Sequence, residues 1–290
     1  MVIHKKSCMR PEVKEAVKAV QGAGHKLHVI IPWNGKELKR ALSREIANGA
    51  TRVIAGGGDG TLNKVTRRLM KHEWNENVSL GVLPLGTAND FARGAGLPLD
   101  NLEAALTQAC TGDATPIDVG KMNGTYFINV ASGGFGSEVT AATPQNIKKA
   151  LGGAAYTLMG IAMAKDLKPY RCTFEIAGGD TLDVSLIVMA VGNNRYAGGA
   201  FDVAPKANLS DGLLDVALLS DFTPSDIPQV SAELKNPFDV NNRFLIYRQA
   251  SKFTIKADRP LHVNLDGEPV KSEEFAFSIK PSSLRVVLGH

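Results

Sequence analysis

Strand-like and helix-like segments alternate through the first 120 residues, and this alternation constrains the fold more than any other feature of the sequence. Short β-branched runs predict strands, whereas apolar residues three or four positions apart predict helices. The predicted strands are 26–31, 51–55 and 79–83, and the predicted helices are 11–21, 37–47, 61–71 and 101–110. Strands separated by helices at this spacing are typical of a doubly wound α/β domain with a parallel sheet.

The pattern changes near residue 120. Two apolar runs flank Asn123-Gly124, a dipeptide that favours a tight hairpin because both residues tolerate positive φ. Alternating apolar and polar residues then recur in the runs 172–176, 182–188, 213–219, 253–256, 261–265, 275–279 and 284–288. Helices interrupt these runs near 150–166 and 225–234. An antiparallel β-sandwich is the natural interpretation of this texture.

A chain of 290 residues exceeds the usual size of a single hydrophobic core, so we expect two domains. The predicted domains are an α/β domain over 1–120 and a β-sandwich over 121–290, and the last strand could return to the first domain. One large domain is the alternative. No linker of biased composition marks the boundary, which therefore rests on the change of texture alone.

Charge and cysteine content exclude several classes of protein. The net charge of +4 is a mild basic bias and lacks the dense basic block of a nucleic-acid-binding arm. Cys8, Cys110 and Cys172 lie far apart without metal-ligand spacing, which indicates reduced thiols and a cytoplasmic protein. The N-terminus lacks the apolar core of a signal peptide. The longest uncharged run, 150–164, is shorter than the about 18 residues of a membrane-spanning helix.

The segment 54–63, Ile-Ala-Gly-Gly-Gly-Asp-Gly-Thr-Leu-Asn, carries the clearest chemistry. It leaves a predicted strand, passes through four glycines and enters a helix for which Thr61 is a candidate cap. Glycines allow close approach of the backbone, and amides at a helix start favour an anion such as phosphate. Asp59 would repel phosphate unless a cation lies between them, so it implies Mg²⁺ or a bound water. The alternative is a tight turn in which Asp59 only caps a helix.

A second polar loop, 83–93, follows the next predicted strand. Because the carboxyl ends of neighbouring parallel strands face one crevice, the two loops are expected to converge. Thr87 and Asn89 could bind phosphate or ribose, and Asp90 could assist the metal. Asp90 as an ordinary helix N-cap is an equal alternative. The P-loop, the complete dinucleotide fingerprint and the protein-kinase motifs are all missing from the sequence.

Four motifs together resemble the diacylglycerol kinase catalytic-domain family, and within it the bacterial YegS-type lipid kinases, over almost the whole chain. In order they are Gly57-Gly58-Asp59-Gly60-Thr61, Leu85-Gly86-Thr87-Ala88-Asn89-Asp90-Phe91-Ala92, Asp211-Gly212-Leu213-Leu214-Asp215 and Leu265-Asp266-Gly267-Glu268-Pro269. NAD kinases share the first motif. The Asn89-Asp90-Phe91-Ala92 ending of the second motif and the Leu265-Asp266-Gly267-Glu268 of the fourth favour the lipid-kinase branch.

The resemblance implies an N-terminal domain like that of NAD kinases and a C-terminal β-sandwich. It also implies ATP as phosphoryl donor, Mg²⁺, and a free hydroxyl of a membrane lipid such as phosphatidylglycerol or diacylglycerol as acceptor. The expected enzyme is a cytoplasmic transferase of phospholipid metabolism that associates transiently with the inner face of the membrane, with no nucleic-acid partner. Neither the lipid nor the oligomeric state follows from these motifs.

The resemblance also implies individual site residues. Those on the ATP side would be Pro32, Gly57, Gly58, Asp59, Gly60, Thr61, Leu62, Asn63, Lys64 and Thr87. Glu268 would be the general base. Asp211, with the main-chain carbonyls of Asn208 and Leu213, would hold a structural metal, either Mg²⁺ or Ca²⁺; an all-oxygen shell suits such hard cations.

Several alternatives accompany these assignments. Without the resemblance, Glu268 and Asp211 both fit ordinary turns, because each lies beside an Asp-Gly dipeptide or within one. The first strand is short, and Lys64 stands where relatives often carry glutamate. Lys64, Arg67, Arg68 and Lys71 form a basic stripe that could contact anionic lipid or could be a solvated face. Rival functions are a kinase for a soluble substrate, of the NAD kinase type, and a non-catalytic nucleotide or metal sensor.

Overall fold

The structure is a computed structural model that describes residues 1–134 and 168–289. It forms two compact units, each assembled from separate stretches of chain. The first unit contains Met1–Val130, Asn193–Leu213 and Ile279–His290, and the second contains Ala131–Gly192 and Leu214–Ser278. The single boundary predicted near residue 120 thus does not describe how these units are assembled. The helix predicted at 150–166 lies outside the described residues.

The first unit contains six of the described α-helices and a parallel sheet. Its helices are α1 (Lys5–Cys8), α2 (Pro11–Gly22), α3 (Gly35–Ala47), α4 (Asp59–Lys71), α5 (Asp90–Gly94) and α6 (Leu102–Thr111). Its strands are β1 (Val2–Ile3), β2 (Arg52–Gly57), β3 (Ser79–Pro84), β4 (Ala114–Met122), β5 (Thr125–Phe127), β9 (Tyr196–Ala197) and β10 (Phe201–Asp202), with a 3₁₀ turn at Trp74–Glu76. The end of a long last strand, β14 (Glu268–Val287), also belongs here.

The parallel sheet runs in the order β1, β2, β3 and the end of β14, where Val286 pairs with Leu80. Helices cover both faces. Val53 packs into a core with α3 and α4, whereas the next residue, Ile54, packs into a core with α2 and α6. A strand buried on both faces explains the continuous apolar run that predicted it, and confirms the doubly wound α/β arrangement.

The predicted strand at 26–31 is wrong, because only Ile30 pairs, in a single parallel bridge to Val2. Its amide donates to the carbonyl of Met1, and its carbonyl accepts the amide of Ile3. The neighbouring strand β1 has only two residues, so it offers no longer partner. The hairpin between β4 and β5 forms as predicted, with positive φ at Asn123 and Gly124.

The second unit is antiparallel in every strand pair described. Its strands are β6 (Val130–Gly134), β7 (Tyr170–Ile176), β8 (Thr181–Gly192), β11 (Leu214–Ser220), β12 (Leu245–Ala250), β13 (Lys252–Leu265) and the first part of β14. A 3₁₀ turn (Pro224–Asp226) leads into its described helix, α7 (Ile227–Lys235). This arrangement confirms the predicted antiparallel β class.

Two pairs of predicted strands each merge into one long strand. The runs 253–256 and 261–265 form the single strand β13, whose register shifts between Lys256 and Leu261. The runs 275–279 and 284–288 likewise lie mainly within β14. The buried rings of Phe174, Phe253 and Phe277 pack against one another in the interior of the second unit. Among the described residues of the whole chain, no helix is both long and apolar enough to span a bilayer.

Candidate nucleotide and metal site

Two loops at the carboxyl ends of β2 and β3 lie against each other. The amide of Leu85 donates to the carbonyl of Gly57 at 3.0 Å, so strand pairing continues into both loops. The backbones of Gly58 and Gly86 are in close contact, since a Cβ at Gly86 would lie 2.5 Å from the Cα of Gly58. Side chains at these positions would hold the loops apart. The two loops therefore converge, as the sequence predicts.

Asp59 joins these loops. Its carboxylate accepts the amides of Asp90, at 3.3 Å, and Phe91, at 3.1 Å, at the start of α5. Negative charge at a helix N-terminus is favourable because it meets unpaired amides and the positive end of the helix dipole. Thr61 as the cap of α4 is wrong: the helix begins at Asp59, Gly58 is its N-cap, and no side chain caps it. Asp59 does cap a helix, but the neighbouring one.

The second loop is closed by its own asparagine. Asn89 has φ of 51°, and its side-chain amide accepts from the amide of Gly86 at 2.8 Å and donates to the carbonyl of Gly86 at 2.9 Å. These two hydrogen bonds fix the turn. They occupy the side-chain amide of Asn89, which the sequence predicts to bind phosphate or ribose. Thr87 lies exposed at the tip of the loop, where its hydroxyl can reach a ligand.

Asp90 is buried and serves the backbone of a distant segment. Its carboxylate accepts the amide of Ala200 at 2.7 Å and that of Gly199 at 3.1 and 3.2 Å. It is the first residue of α5, whose N-cap is Asn89. The N-cap alternative is therefore wrong, and the carboxylate that we expected to assist a metal holds the loop at 199–200.

The remaining residues predicted to bind ATP differ in exposure. Leu62 and Asn63 are buried on the inner face of α4, so a ligand could meet only their main chain. Gly60 and Lys64 are exposed on the first turns of the same helix. A Cβ at Gly60 would meet no atom within 4 Å, which leaves the helix N-terminus open. Pro32 lies half-buried just beyond the bridge at the sheet edge.

A cavity of about 460 Å³ is lined in part by the second loop. It is bounded by Gly86 and Asn89, by the start of α2 and by the start of α6. Its charged lining residues are Arg10, Glu12, Glu15, Asp100 and Glu103. Arg10 is paired with Glu12, so the wall is acidic and repels polyphosphate. The favourable position for phosphate is therefore the N-terminus of α4.

Half of the predicted basic stripe is engaged within the fold. The guanidinium of Arg67 donates to the carbonyl of Tyr126 at 2.9 Å. The guanidinium of Arg68 lies over Gly35, so close that a Cβ there would be 2.8 Å from it. Arg67 thus ties α4 to β5, and Arg68 packs over the first residue of α3.

The predicted structural metal site contains a carboxylate that the sequence analysis missed. Asp118, on β4, is almost fully buried and accepts the amides of Gly212 at 2.6 Å and Ser282 at 2.7 Å. Its own amide donates to the carbonyl of Leu209 at 2.6 Å. The signal was a charged residue between Ile117 and Val119 in an apolar strand, which we interpreted only as part of a hairpin.

Asp211 lies next to this carboxylate. Burial raises the pKa of Asp211 above its ordinary value, the amide of Leu213 opposes this at 3.0 Å, and the charge of Asp118 adds to the rise. Asn208 accepts the amide and hydroxyl of Ser210, both at 3.1 Å. Two carboxylates this close repel each other, so a divalent cation fits the chemistry of the site.

Histidine, cysteine and carboxylate side chains do not gather in groups of three or more within residues 1–134 and 168–289. The predicted metal ligands around Asp211 are mainly main-chain carbonyls. A group of histidine, cysteine and carboxylate side chains is therefore not expected at that site. The carboxylate of Asp59 uses two of its acceptor positions and retains others for a cation.

Glu268 lies in the second unit as the first residue of β14. It follows a tight turn in which Asp266 and Gly267 both have positive φ, and it pairs with Leu265 across that turn. Asn264 accepts the amide of Gly267 at 2.6 Å and fixes the corner. The half-buried Glu268 side chain is thus placed at the end of a braced hairpin.

Comparison with known families covers nearly the whole chain. The family model described as diacylglycerol kinase catalytic domain matches residues 2–122, and the one described as YegS C-terminal NAD kinase beta sandwich-like domain matches 129–288. The chain belongs to the YegS-type lipid kinase family. A protein of Chromohalobacter salexigens named probable lipid kinase YegS-like is 41% identical, covering 98% of this chain and 91% of that protein.

A second relative comes from Pseudomonas aeruginosa PAO1 and is also named probable lipid kinase YegS-like. It is 38% identical, covering 99% of this chain and 93% of that protein. The crystal structure of a diacylglycerol kinase from Bacillus anthracis has the same fold, with a TM-score of 0.75 and 22% identity over 99% of this chain and 96% of that one. These matches confirm the predicted family, the fold class and the kinase class.

Proposed function

We propose that the lipid kinase transfers the γ-phosphoryl group of ATP to a free hydroxyl of a membrane lipid such as phosphatidylglycerol or diacylglycerol. The observation that carries this proposal is the open N-terminus of α4, which no side chain caps and which lies where the two glycine loops meet. Thirteen residues of aligned peptide dipoles point toward it. Backbone amides in this arrangement bind phosphate oxygens.

The residues around this terminus have distinct roles in the proposed reaction. Gly58 and Gly60 admit the phosphates to the backbone, and Lys64 adds a cation one turn along the helix. Thr87 reaches the nucleotide from the second loop, and Pro32 bounds its far side. Most of the rate in phosphoryl transfer comes from such alignment and from neutralising charge on the transferring oxygens.

Asp59 would hold Mg²⁺ against the phosphates while its carboxylate keeps α5 in place. When bound, the ion neutralises part of the charge on the phosphate oxygens. In the same proposal, Glu268 orients the lipid hydroxyl and accepts its proton. Asp211, with Asp118 beside it and the carbonyls of Asn208 and Leu213, would hold a structural Mg²⁺ or Ca²⁺ that relieves the repulsion between the two carboxylates.

The rival function is phosphorylation of a soluble acceptor such as NAD, and an acceptor test distinguishes the two. The protein is incubated with γ-labelled ATP and either NAD or mixed phospholipids dispersed in detergent, and label is counted after extraction into organic solvent. We expect label in the organic phase only when lipid is present. Label that stays in water with NAD would establish the rival, and ATP consumption that needs no acceptor would exclude both.

A variant tests the proposed base. Glu268→Gln should lower lipid phosphorylation by about 100-fold or more while nucleotide affinity is kept, because general-base catalysis contributes about 10²–10⁴. Glu273→Gln, an exposed glutamate on the same strand, is the matched control and should keep full turnover. Near-normal turnover of Glu268→Gln would show that Glu268 is not the general base and has only a structural role in the turn.

We also place the enzyme at the inner face of the membrane, in phospholipid metabolism, because its proposed acceptor resides there.

A further inference from the structure

Exposed apolar side chains gather at one edge of the first unit. In the described residues, eight large apolar side chains are exposed, and half of them precede residue 34. These four are Met9, Val29, Ile31 and Trp33, which we call the edge patch. Trp33 is 79% exposed and Met9 62%. Tryptophan is normally largely buried, so an indole this exposed is a candidate for contact with another surface.

The geometry brings the members of the edge patch together. Ile30 forms the outermost bridge of the parallel sheet, and side chains alternate along extended backbone, so Val29 and Ile31 share the side opposite to it. The ammonium of Lys5 lies 5.4 Å from the ring centroid of Trp33. Met9 follows Lys5 by four residues, about one helical turn. The edge patch thus combines apolar side chains with a cation held against its aromatic ring.

The N-terminal segment that carries the edge patch is strongly basic in composition. Residues 1–40 contain nine lysine and arginine residues against three glutamates, a net charge of +6, whereas the whole chain carries +4. Of those glutamates, Glu12 is paired with Arg10, and Glu37 accepts the amide of Trp33. The excess positive charge of the protein therefore lies in the segment that also carries the edge patch.

We propose that the edge patch docks on an anionic phospholipid membrane, an inference that rests on the proposed lipid acceptor. Trp33 would enter the interface between headgroups and acyl chains, where indole is favoured, while Lys5 and its neighbours meet lipid phosphates. Apolar side chains flanked by cations are the usual means by which a protein binds such a surface without spanning it. The basic stripe on α4 is less suited, because two of its arginines are engaged within the fold.

Tryptophan fluorescence tests the docking directly. The chain has two tryptophans, so Trp74→Phe leaves Trp33 as the only emitter. We expect a blue shift with vesicles of phosphatidylcholine containing phosphatidylserine, none with phosphatidylcholine alone, and loss of the shift in high salt, which screens the charges. A blue shift produced by ATP without vesicles would assign Trp33 to the nucleotide site and overturn the proposal.

Vesicle cosedimentation without ATP measures each contribution. Trp33→Ala should weaken binding about tenfold, and Lys5→Gln with Lys6→Gln should weaken it by a similar factor. The matched controls lie in the second unit: Val240→Ala, at a side chain 89% exposed, and Lys235→Gln should bind like the parent. Equal binding by Trp33→Ala and the parent overturns the proposal, provided that both melt at the same temperature.

Failure of the docking and failure of the proposed reaction are distinguishable. Glu268→Gln should bind vesicles fully although it does not phosphorylate lipid. A parent protein that phosphorylates detergent-dispersed lipid but does not bind anionic vesicles would refute the docking alone. A parent protein that binds vesicles but phosphorylates no lipid would refute the proposed reaction and leave the membrane surface established.

Discussion

At the scale of the residue, Asp59 has two roles that a single substitution can separate. Its carboxylate holds the amides of Asp90 and Phe91, so Asp59→Ala would leave these donors unpaired and cost about 1–3 kcal/mol of stability. Asp59→Asn keeps one acceptor oxygen, loses the charge that a cation needs, and turns its NH2 group toward the other amide donor. We expect Asp59→Asn to lose about 1 kcal/mol of stability or more in chemical denaturation, and less than Asp59→Ala.

The same Asp59→Asn variant should lose at least about 100-fold in lipid phosphorylation, because removal of a preorganised charge at a transferring group has effects of this size. Initial rates with detergent-dispersed lipid and saturating ATP measure the loss. Retention of most of the activity would assign Asp59 a purely structural role.

Gly86 offers a second prediction at this scale. A Cβ there would lie 2.5 Å from the Cα of Gly58 and 2.8 Å from the side-chain oxygen of Asn89, so Gly86→Ala must separate the two loops. We expect a loss of about 1–3 kcal/mol of stability, as for other overpacked sites.

The control for Gly86→Ala is Gly60→Ala, where the new Cβ meets open space inside a helix. Alanine is the better helix former, so this change should raise stability by up to about 1 kcal/mol. Urea denaturation of both variants measures the difference. Equal stabilities would show that the loops do not depend on this close contact.

Sequence patterns identified the residues of both loops but not what their side chains do. The motifs placed Asp59 and Asp90 near helix starts, but they predicted Thr61 as the cap of α4, and Asp90 is the first residue of α5 instead of its N-cap. The partners of Asp59 and Asp90 lie about 30 and 110 residues away along the chain. The role of Asp118 was not predicted for the same reason. Its hydrogen-bond donors, the amides of Gly212 and Ser282, are its neighbours only in the folded protein.

At the scale of the element, α7 is tied to the segment after it by one buried carboxylate. Glu233 lies in the last turn of α7, where the helix dipole disfavours negative charge. It accepts the amides of Arg243, Phe244 and Leu245 at 2.9–3.0 Å. Burial raises the pKa of Glu233, but these amides outweigh it and hold the pKa below the ordinary 4.5. Glu233 therefore closes the loop at 236–242 against its own helix.

This depressed pKa predicts a pH dependence of stability. A group whose pKa is lower in the folded state stabilises the fold above its unfolded pKa, and this contribution is lost as the pH falls below about 4.5. Glu233→Gln should therefore be less stable by about 2 kcal/mol at pH 7 and lose less stability on acidification. Melting curves from pH 7 down to about 3 measure this, because the loss occurs below the ordinary pKa, and the exposed Glu273→Gln is the control. Parallel pH profiles for parent and Glu233→Gln would contradict the assignment.

Elements were predictable where a local period and a local stop signal coincide. Helix α6 begins after Asn101, whose side chain accepts the amide of Ala104, and α3 begins after Asn34 in the same way. The segment 26–31 has the composition of a strand, but pairing needs a partner, and β1 provides only two residues. The pattern of apolar residues indicates which segments suit a strand. It does not indicate how long the neighbouring strand in the sheet will be.

At the scale of the whole molecule, the sequence predicted two kinds of fold and allowed for the return of the last strand, but it gave no sign that residues 193–213 belong to the first unit. Texture changes once, near residue 120, whereas the first unit also takes residues 193–213 and the C-terminal end. Residues 193–213 contain no long period, since they form loops and the two short strands β9 and β10. The place of that stretch and of the C-terminal end depends on long-range contacts, such as the pairing of Val286 with Leu80.

This path of the chain makes a prediction about truncation. A fragment of residues 1–130 lacks Leu284 and Val286, which belong to the core beneath α4, and lacks both donors to the buried carboxylate of Asp118. An uncompensated buried charge and missing core side chains each cost several kcal/mol, comparable to the whole stability of a domain. We expect this fragment to show no cooperative thermal transition by circular dichroism.

A spliced control shows that the missing stretches, and not the absent second unit, are responsible. The amide of Asn193 donates to the carbonyl of Asn129 at 2.9 Å, so residues 130 and 193 can be joined by a short glycine-serine linker. Gly212 and Ser282 both donate to Asp118, so 213 and 279 can be joined likewise. The spliced unit should unfold cooperatively. If the 1–130 fragment melts as sharply as the spliced unit, the returning segments do not complete the core, and the first 130 residues fold on their own.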